Sequence, residues 1–322
     1  MLLRAVSIAG ASSRWGSPTM LQRDVVTVLS FDGVLCDSEP EQTRAAWRAA
    51  LELWPDVMET AAEYADAPWE AGARRSWAKG DWGELQGTGK DGLPNWLAAK
   101  VRELHPIVDS GSTYQAMLLM RLCADEALAA RGSGRGQRPL TTGEITTNWP
   151  ELCELLHARY GLSPQDAREL YDSTRDAWLD ADPGSWLAAN RFYPGAIDAV
   201  KSALENGAQL RILTTKQLRF VLPLLHDAGL CLDEGLVCGL DAGSQVDALW
   251  QIQSLDPKAQ VRFVEDRVDT LRAVANDARL FGTQLLFAEW GYSNPSQQSC
   301  IVGMPRVRSL ADTKQLKAVL HE

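Results

Sequence analysis

A chain of 322 residues, 45% of them hydrophobic and with no apolar run approaching a membrane span, reads as a globular protein long enough for a core domain and a second one. The formal net charge of -10 excludes general nucleic-acid binding, which requires a basic surface; it favours solubility and identifies no partner. The six cysteines (Cys36, Cys123, Cys153, Cys231, Cys238, Cys300) form no C-x-x-C pair and the four histidines are scattered, which argues against zinc and for a reducing, intracellular compartment with buried free thiols.

Residues 1–23 carry Arg4, Arg14 and Arg23, several serines and no acid. That composition suits a targeting segment for a chloroplast or mitochondrion, or equally a tail or a start at Met20, so cytoplasm and organelle both remain open. The stretch Val25-Val-Thr-Val-Leu-Ser30 then predicts a buried strand, broken by Asp32-Gly33 where a catalytic loop would begin. Two residues before Asp32, where a second carboxylate would complete a D-x-D pair, stands Ser30.

From residue 41 to about 191 the pattern is helical. Apolar residues recur at helical spacing over Glu41–Trp54, Tyr114–Ala130, Ile145–Tyr160 and Pro164–Leu179. Nine of the twelve tryptophans fall in this region, which points to packing rather than to a ligand cage. Arg131-Gly-Ser-Gly-Arg-Gly-Gln-Arg-Pro139 interrupts it as a solvated loop.

From Phe192 short apolar strands alternate with helices. Strands are predicted at Gln209–Thr214, Leu236–Cys238, Val261–Val264 and Leu285–Ala288, and helices from Pro194 to Glu205 and over Gln217–Ala228, Val246–Ser254, Val268–Ala275 and Leu310–Leu320. The expected fold class is α/β: a Rossmann-like parallel sheet wrapped on both faces, built from residues 24–40 and 192–322, with residues 41–191 inserted as a helical cap domain. Ligands in such folds bind beyond the carboxyl ends of the strands.

Four strand ends therefore carry the chemistry. The first presents Ser30, Asp32 and Gly33. The second presents Thr214-Thr215-Lys216, a hydroxyl pair able to open a helix and hold an anion on backbone N–H groups. The third is Gly243-Ser-Gln-Val-Asp247 before a helix, and the fourth places Glu265 and Asp266 side by side after an apolar strand. Carboxylates gathered at one sheet edge suit Mg²⁺, which takes hard oxygen ligands.

These motifs resemble the haloacid dehalogenase-like (HAD) superfamily, whose phosphatases set D-x-D-G-[TV]-L, a Thr or Ser, a Lys and an acidic pair on successive strand ends. Phe31-Asp-Gly-Val-Leu-Cys-Asp-Ser38, Leu213-Thr-Thr-Lys-Gln217, Phe263-Val-Glu-Asp-Arg267 and Glu289-Trp-Gly-Tyr292 carry the resemblance, and Ala189-Asn-Arg-Phe-Tyr-Pro-Gly195 is similar to an uncharacterised plant and algal branch. The resemblance implies that Asp32 is the acid/base, that Thr214, Thr215 and Gly33 bind phosphate, and that Asp266 and Glu265 form the metal end. It also implies two losses. Ser30 replaces the Asp that attacks phosphorus, and a hydroxyl without a base is a poor nucleophile and no anionic metal ligand. Gln245 replaces the lysine that neutralises phosphoryl charge, with Lys258 as a distant substitute; an amide donates hydrogen bonds but no charge. Asp269 falls one residue short of the usual second acid.

Three functions follow as expectations. The first is a catalytically impaired pseudo-phosphatase that acts by binding, with weak Mg²⁺ affinity. The second is a residual Mg²⁺-dependent phosphatase acting on a small phosphorylated metabolite. The third is a protein-interaction module using the Trp-rich cap, which requires an exposed aromatic patch. None involves nucleic acid or membrane.

Overall fold

In a computed structural model of the chain, the described residues are 24–63, 89–132, 138–239 and 243–322. The proposed targeting segment, most of the loop at 131–139, and Trp69, Trp77 and Trp82 lie outside them. In chain order the elements are β1 (Val25–Ser30), β2 (Cys36–Asp37), α1 (Glu39–Leu53), α2 (Pro55–Ala62), α3 (Asn95–Leu104), α4 (Gln115–Gly132), α5 (Thr142–Thr147), α6 (Trp149–Tyr160), α7 (Pro164–Ala181), α8 (Pro183–Ala189) and β3 (Arg191–Phe192). There follow α9 (Ala196–Glu205), β4 (Gln209–Leu213), α10 (Leu218–Asp227), β5 (Val237–Cys238), α11 (Gln245–Leu255), β6 (Gln260–Glu265), α12 (Val268–Asn276), β7 (Gln284–Ala288), α13 (Pro295–Ile301), β8 (Val307–Leu310) and α14 (Thr313–Leu320).

The fold is α/β, with six strands in one parallel sheet in the order β5-β4-β1-β6-β7-β8. β1 lies in the middle, its Leu29 between Ile212 of β4 and Val264 of β6. It reads as a nearly continuous apolar run because both its faces are covered. Leu29, Ile212, Val264 and Leu286 pack under α9, α10 and α14, while Val28, Leu213, Phe263, Leu285 and Phe287 pack under α11, α12 and α13. The sheet order reverses at β1, so the carboxyl ends of β1, β4 and β6 border the crevice where such sheets take ligands.

The two-residue antiparallel pair β2–β3 (Cys36 opposite Phe192, Asp37 opposite Arg191) clasps the chain where it leaves the sheet and where it returns. Most of the helices between these strands share an apolar cluster of their own that includes Trp47, Trp96, Met117 and Trp149. The last turns do not follow that division. Trp178 of α7 and Trp186 of α8 pack with the sheet's cluster, and the Trp186 ring lies 5.8 Å from that of Phe220 on α10.

Several boundaries differ from the sequence reading. The predicted helix over Ile145–Tyr160 is two helices, because Pro150 starts α6 afresh with Asn148 at its N-cap. The predicted helix from Leu310 begins only at Thr313, since Val307–Leu310 is an edge strand with a single fully buried residue, too short to show a period. α13 carries a polar sequence and is set by a capping box, Asn294 with Gln297, rather than by an apolar stripe. Of the thiols, Cys36, Cys123 and Cys153 are buried, Cys238 is half-buried, and Cys231 and Cys300 are exposed, so burial of all six is not realised.

Trp186 is fully buried and its indole N–H donates to Glu41 Oε1 at 3.3 Å. Replacing it by Ala removes sheet-side packing and one partner of a buried carboxylate. Trp186→Ala should lower stability by about 3–5 kcal/mol, read as a lower urea midpoint at unchanged slope.

Candidate functional site

The strand ends converge on one cleft. Ser30, Asp32, Thr214, Thr215, Gln245, Glu265 and Asp266 all line it, and its open volume is about 30 Å³. Gly33 stands behind Asp32 at φ +79°, and a Cβ there would lie 2.3 Å from the Asp266 carboxyl. A Cβ on Gly291 would meet Asp266 at the same distance. Both glycines let backbone close onto this acid, a use for which only a missing side chain serves.

One wall of the cleft is acidic. Glu265 and Asp266 end β6 and both are buried. Glu265 Oε1 accepts from the N–H groups of Asp266 (2.9 Å) and Arg267 (3.0 Å), and its Oε2 accepts from Gln245 Nε2 at 3.1 Å. Asp266 Oδ2 accepts from Tyr292 N at 2.7 Å, whereas its Oδ1 is buried without a hydrogen-bond partner. Burial, and then repulsion from Asp266, pushes the Glu265 carboxyl well above its ordinary range, and burial raises Asp266 as well.

A cation stands behind Asp32, on the side of an adjoining chamber, although none was expected. Lys216, one residue beyond the hydroxyl pair, is buried with its Nζ 3.1 Å from Asp32 Oδ1, 3.7 Å from Glu41 Oε2 and 3.4 Å from Asn190 Oδ1. The site therefore holds an ammonium although position 245 is an amide. Gln245 spans Glu265 and Thr270, accepting from Thr270 Oγ1 at 3.3 Å, and so fixes a carboxylate instead of adding charge. Lys258 is exposed at the amino edge of β6, opposite the strand ends, and Asp269 points to solvent beside Arg272, 2.6 Å away. Neither reaches the cleft. The Thr214 hydroxyl accepts from Lys216 N at 3.0 Å, a local side-chain turn; it does not cap the next helix, which starts at Leu218 with Gln217 at its N-cap.

The ammonium is one link in a chain of alternating charge. Arg175 of α7 grips Glu41 of α1 with two bonds, Nε to Oε1 at 2.7 Å and Nη2 to Oε2 at 2.9 Å, and its guanidinium lies 4.0 Å from the Phe220 ring. Burial pushes the Glu41 carboxyl up, but Arg175 and then Lys216 outweigh it and hold it below its ordinary range. On the opposite flank Arg102 of α3 bridges Asp37 (3.1 Å) and Glu39 (2.5 Å).

The sequence reading missed the groups that the helical region lowers onto the site. Thr215 Oγ1 donates to Ser110 O at 2.7 Å, and Arg267 Nη2 donates to Val108 O, so the loop at 108–113 lies over the strand ends. His105 is buried in the cleft with Nε2 3.0 Å from Gln42 Oε1, its ring 4.5 Å from that of Tyr292 and its Nδ1 without a partner. Burial, then the charges of Arg267 and Arg102, lowers its pKa well below 6.5 and keeps the imidazole neutral. Lys216 adjoins the hydroxyl pair and Arg267 closes the Phe263–Arg267 motif, but no local pattern marks either of them, or His105, as entering the site.

The donor set does not suit a tightly held Mg²⁺. The ion seeks six oxygens including one or two free carboxylates. Asp266 Oδ1 is available, but Asp32 Oδ1 faces an ammonium, position 30 is a hydroxyl, and no three His, Cys, Asp or Glu side chains converge as a metal site among the described residues.

No family model matches the chain, and no curated protein matches it. Solved structures do. A haloacid dehalogenase-like hydrolase from Bacteroides fragilis has 11% identity over 91% of this chain and 100% of its own, with a TM-score of 0.48. A haloacid dehalogenase-like family hydrolase from Streptococcus pneumoniae has 14% identity over 92% of this chain and 98% of its own, with a TM-score of 0.44. A conserved haloacid dehalogenase-like protein of unknown function from Agrobacterium tumefaciens has 14% identity over 92% and 97%, with a TM-score of 0.43. These are likenesses of overall architecture and give no residue a role.

The neutral histidine sets a pH dependence. Unfolded, His105 takes up a proton near pH 6.5; folded, it does so only well below that value. The unfolded state therefore binds more protons as pH falls through 6.5, and stability drops by up to about 1.4 kcal/mol per pH unit until the folded value is reached. His105→Gln keeps a hydrogen-bonding group and removes this titration. The stability difference between wild type and His105→Gln should fall at that slope between pH 6.5 and 5, measured from urea midpoints, and be flat above pH 7.5.

Proposed function

We propose that this chain is a HAD-like phosphatase scaffold that binds a small phosphorylated molecule without hydrolysing it at enzymatic rates. One observation carries this reading: Ser30 is buried at the end of the central strand in the cleft that Asp32, Thr214 and Asp266 also line, so a hydroxyl occupies the place of attack. A serine needs a base to become a nucleophile. Asp32 is a poor one here, because a proton taken up by it would strip a buried ammonium of its nearest counter-charge. Binding needs less. The Ser30 and Thr214 hydroxyls and the Lys216 ammonium offer hydrogen bonds and charge to a phosphate without any bond being made.

A second reading, residual hydrolysis by direct attack of water, draws support from the neutral His105 in the same cleft as Asp32, which leaves two groups able to move protons. A role for the Trp-rich helices in binding a protein gains nothing from their surface. Among the described residues Trp47, Trp96, Trp149, Trp178 and Trp186 are buried and Trp54 is half-buried.

A panel of phosphate esters with Mg²⁺ separates these readings. The wild type should raise its melting temperature with inorganic phosphate yet turn over no ester; a rate of about 1 s⁻¹ or more on any ester overturns the proposal. Repair of the nucleophile gives the converse test. With Gln245 taken alone as the charge-bearing position, Ser30→Asp would need Gln245→Lys beside it. With Lys216 already against Asp32, Ser30→Asp by itself should gain cation-dependent hydrolysis of an aryl phosphate, and Asp32→Asn should abolish that gain. Mg²⁺ titration of the wild type should show no saturation at micromolar concentrations, since position 30 offers no carboxylate and Asp32 Oδ1 lies against the Lys216 ammonium.

A further inference from the structure

The cleft does not end at Ser30. A second chamber adjoins it, and Asp32, Gln42, Ser110, Thr113 and Thr215 line both. The charges differ between the two. The first chamber is bordered by Glu265, Asp266 and Asp109, with Arg267 as its cation. The second is bordered by three cations, Arg168, Arg175 and Lys216, against two carboxylates, Asp32 and Asp172. Two of those cations are already spent. Lys216 lies between Asp32 and Glu41, and Arg175 is clamped on Glu41 with Asp172 at 4.0 Å.

Arg168 differs. Among the described residues it is the one cation lining this chamber with no carboxylate within 4.0 Å. It is half-buried on the first half of α7, with its guanidinium 5.4 Å from the Tyr114 ring centre and Nη2 3.5 Å from Ser112 Oγ. The ring and the hydroxyl steer the side chain without neutralising it. An arginine so held, beside a chamber open to the phosphate position, presents a planar fork to any anion that extends from it.

We infer that the ligand is anionic at both ends: its phosphate lies against Ser30 and Thr214 in the first chamber, and a second anionic group, a carboxylate or another phosphate, lies against Arg168 in the second. This rests on the binding function proposed above and adds the class of ligand.

A matched pair of probes tests it on the full-length chain. Glycerol 3-phosphate and 3-phosphoglycerate have the same three-carbon frame and differ in a terminal hydroxyl against a terminal carboxylate. By calorimetry the wild type should bind 3-phosphoglycerate about tenfold or more tightly than glycerol 3-phosphate, the worth of one charge-assisted contact. Arg168→Gln should bring the ratio close to one, and Arg168→Lys, which keeps the charge, should retain part of it. Equal affinities in the wild type, or a preference that survives in Arg168→Gln, overturns the inference alone. If neither ester nor inorganic phosphate binds, the proposed function falls with it.

Discussion

The structure is organised around a buried ammonium. Lys216 reaches from the end of β4 to the carboxylate that follows β1, and to Glu41 in the first helix of the insertion. Withdrawing such a charge from water is tolerable only where opposite charges and hydrogen bonds surround it, and removing one partner of a buried pair typically costs about 3–5 kcal/mol. The sheet and the helices above it must therefore meet with Asp32, Lys216, Glu41 and Arg175 in sequence. That requirement fixes where α1 and α7 sit over the strand ends. Arg102, bridging Asp37 and Glu39, fixes α3 in the same way on the other flank.

Across the cleft the problem is reversed. Glu265 and Asp266 are adjacent, buried and of like charge, and the chain manages them with backbone. Three N–H groups point at the pair, Gln245 ties one oxygen, and Gly33 and Gly291 allow main chain to close onto Asp266. The outcome is an acid pair that resists holding two charges on one side, and on the other Asp32 backed by the Lys216 ammonium. Such a division orients a polar ligand before any chemistry is considered.

Position 30 carries a hydroxyl, and the helical layer shapes what lies above it. The loop at 108–113 is bonded to Thr215 and Arg267, and His105 meets the Tyr292 ring edge-on, so the helical layer contributes part of the cleft wall. In the binding function proposed above, ligand selection falls to side chains of that layer, such as Arg168, and the strand ends hold the phosphate.

Much of this was legible in the sequence, for identifiable reasons. Strand and helix periods gave the α/β order, and punctuation by Asp32-Gly33, Thr214-Thr215 and Glu265-Asp266 marked strand ends because those residues terminate strands or cap helices. Their arrival at one cleft follows from parallel topology, which gathers carboxyl ends on one edge. The sequence also showed that position 30, two residues before Asp32, is a hydroxyl and not a carboxylate. It counted the cation as lost on the amide at position 245, whereas charge acts through space and Lys216 reaches Asp32 from the end of β4. Short or polar elements such as β8 and α13 were lost because they show no hydrophobic period. His105, Gln42, Arg175 and Arg168 come from helices far along the chain from the strands they serve. Only the docking of the helical layer brings them in, since that depends on which buried charges find partners and not on any local pattern.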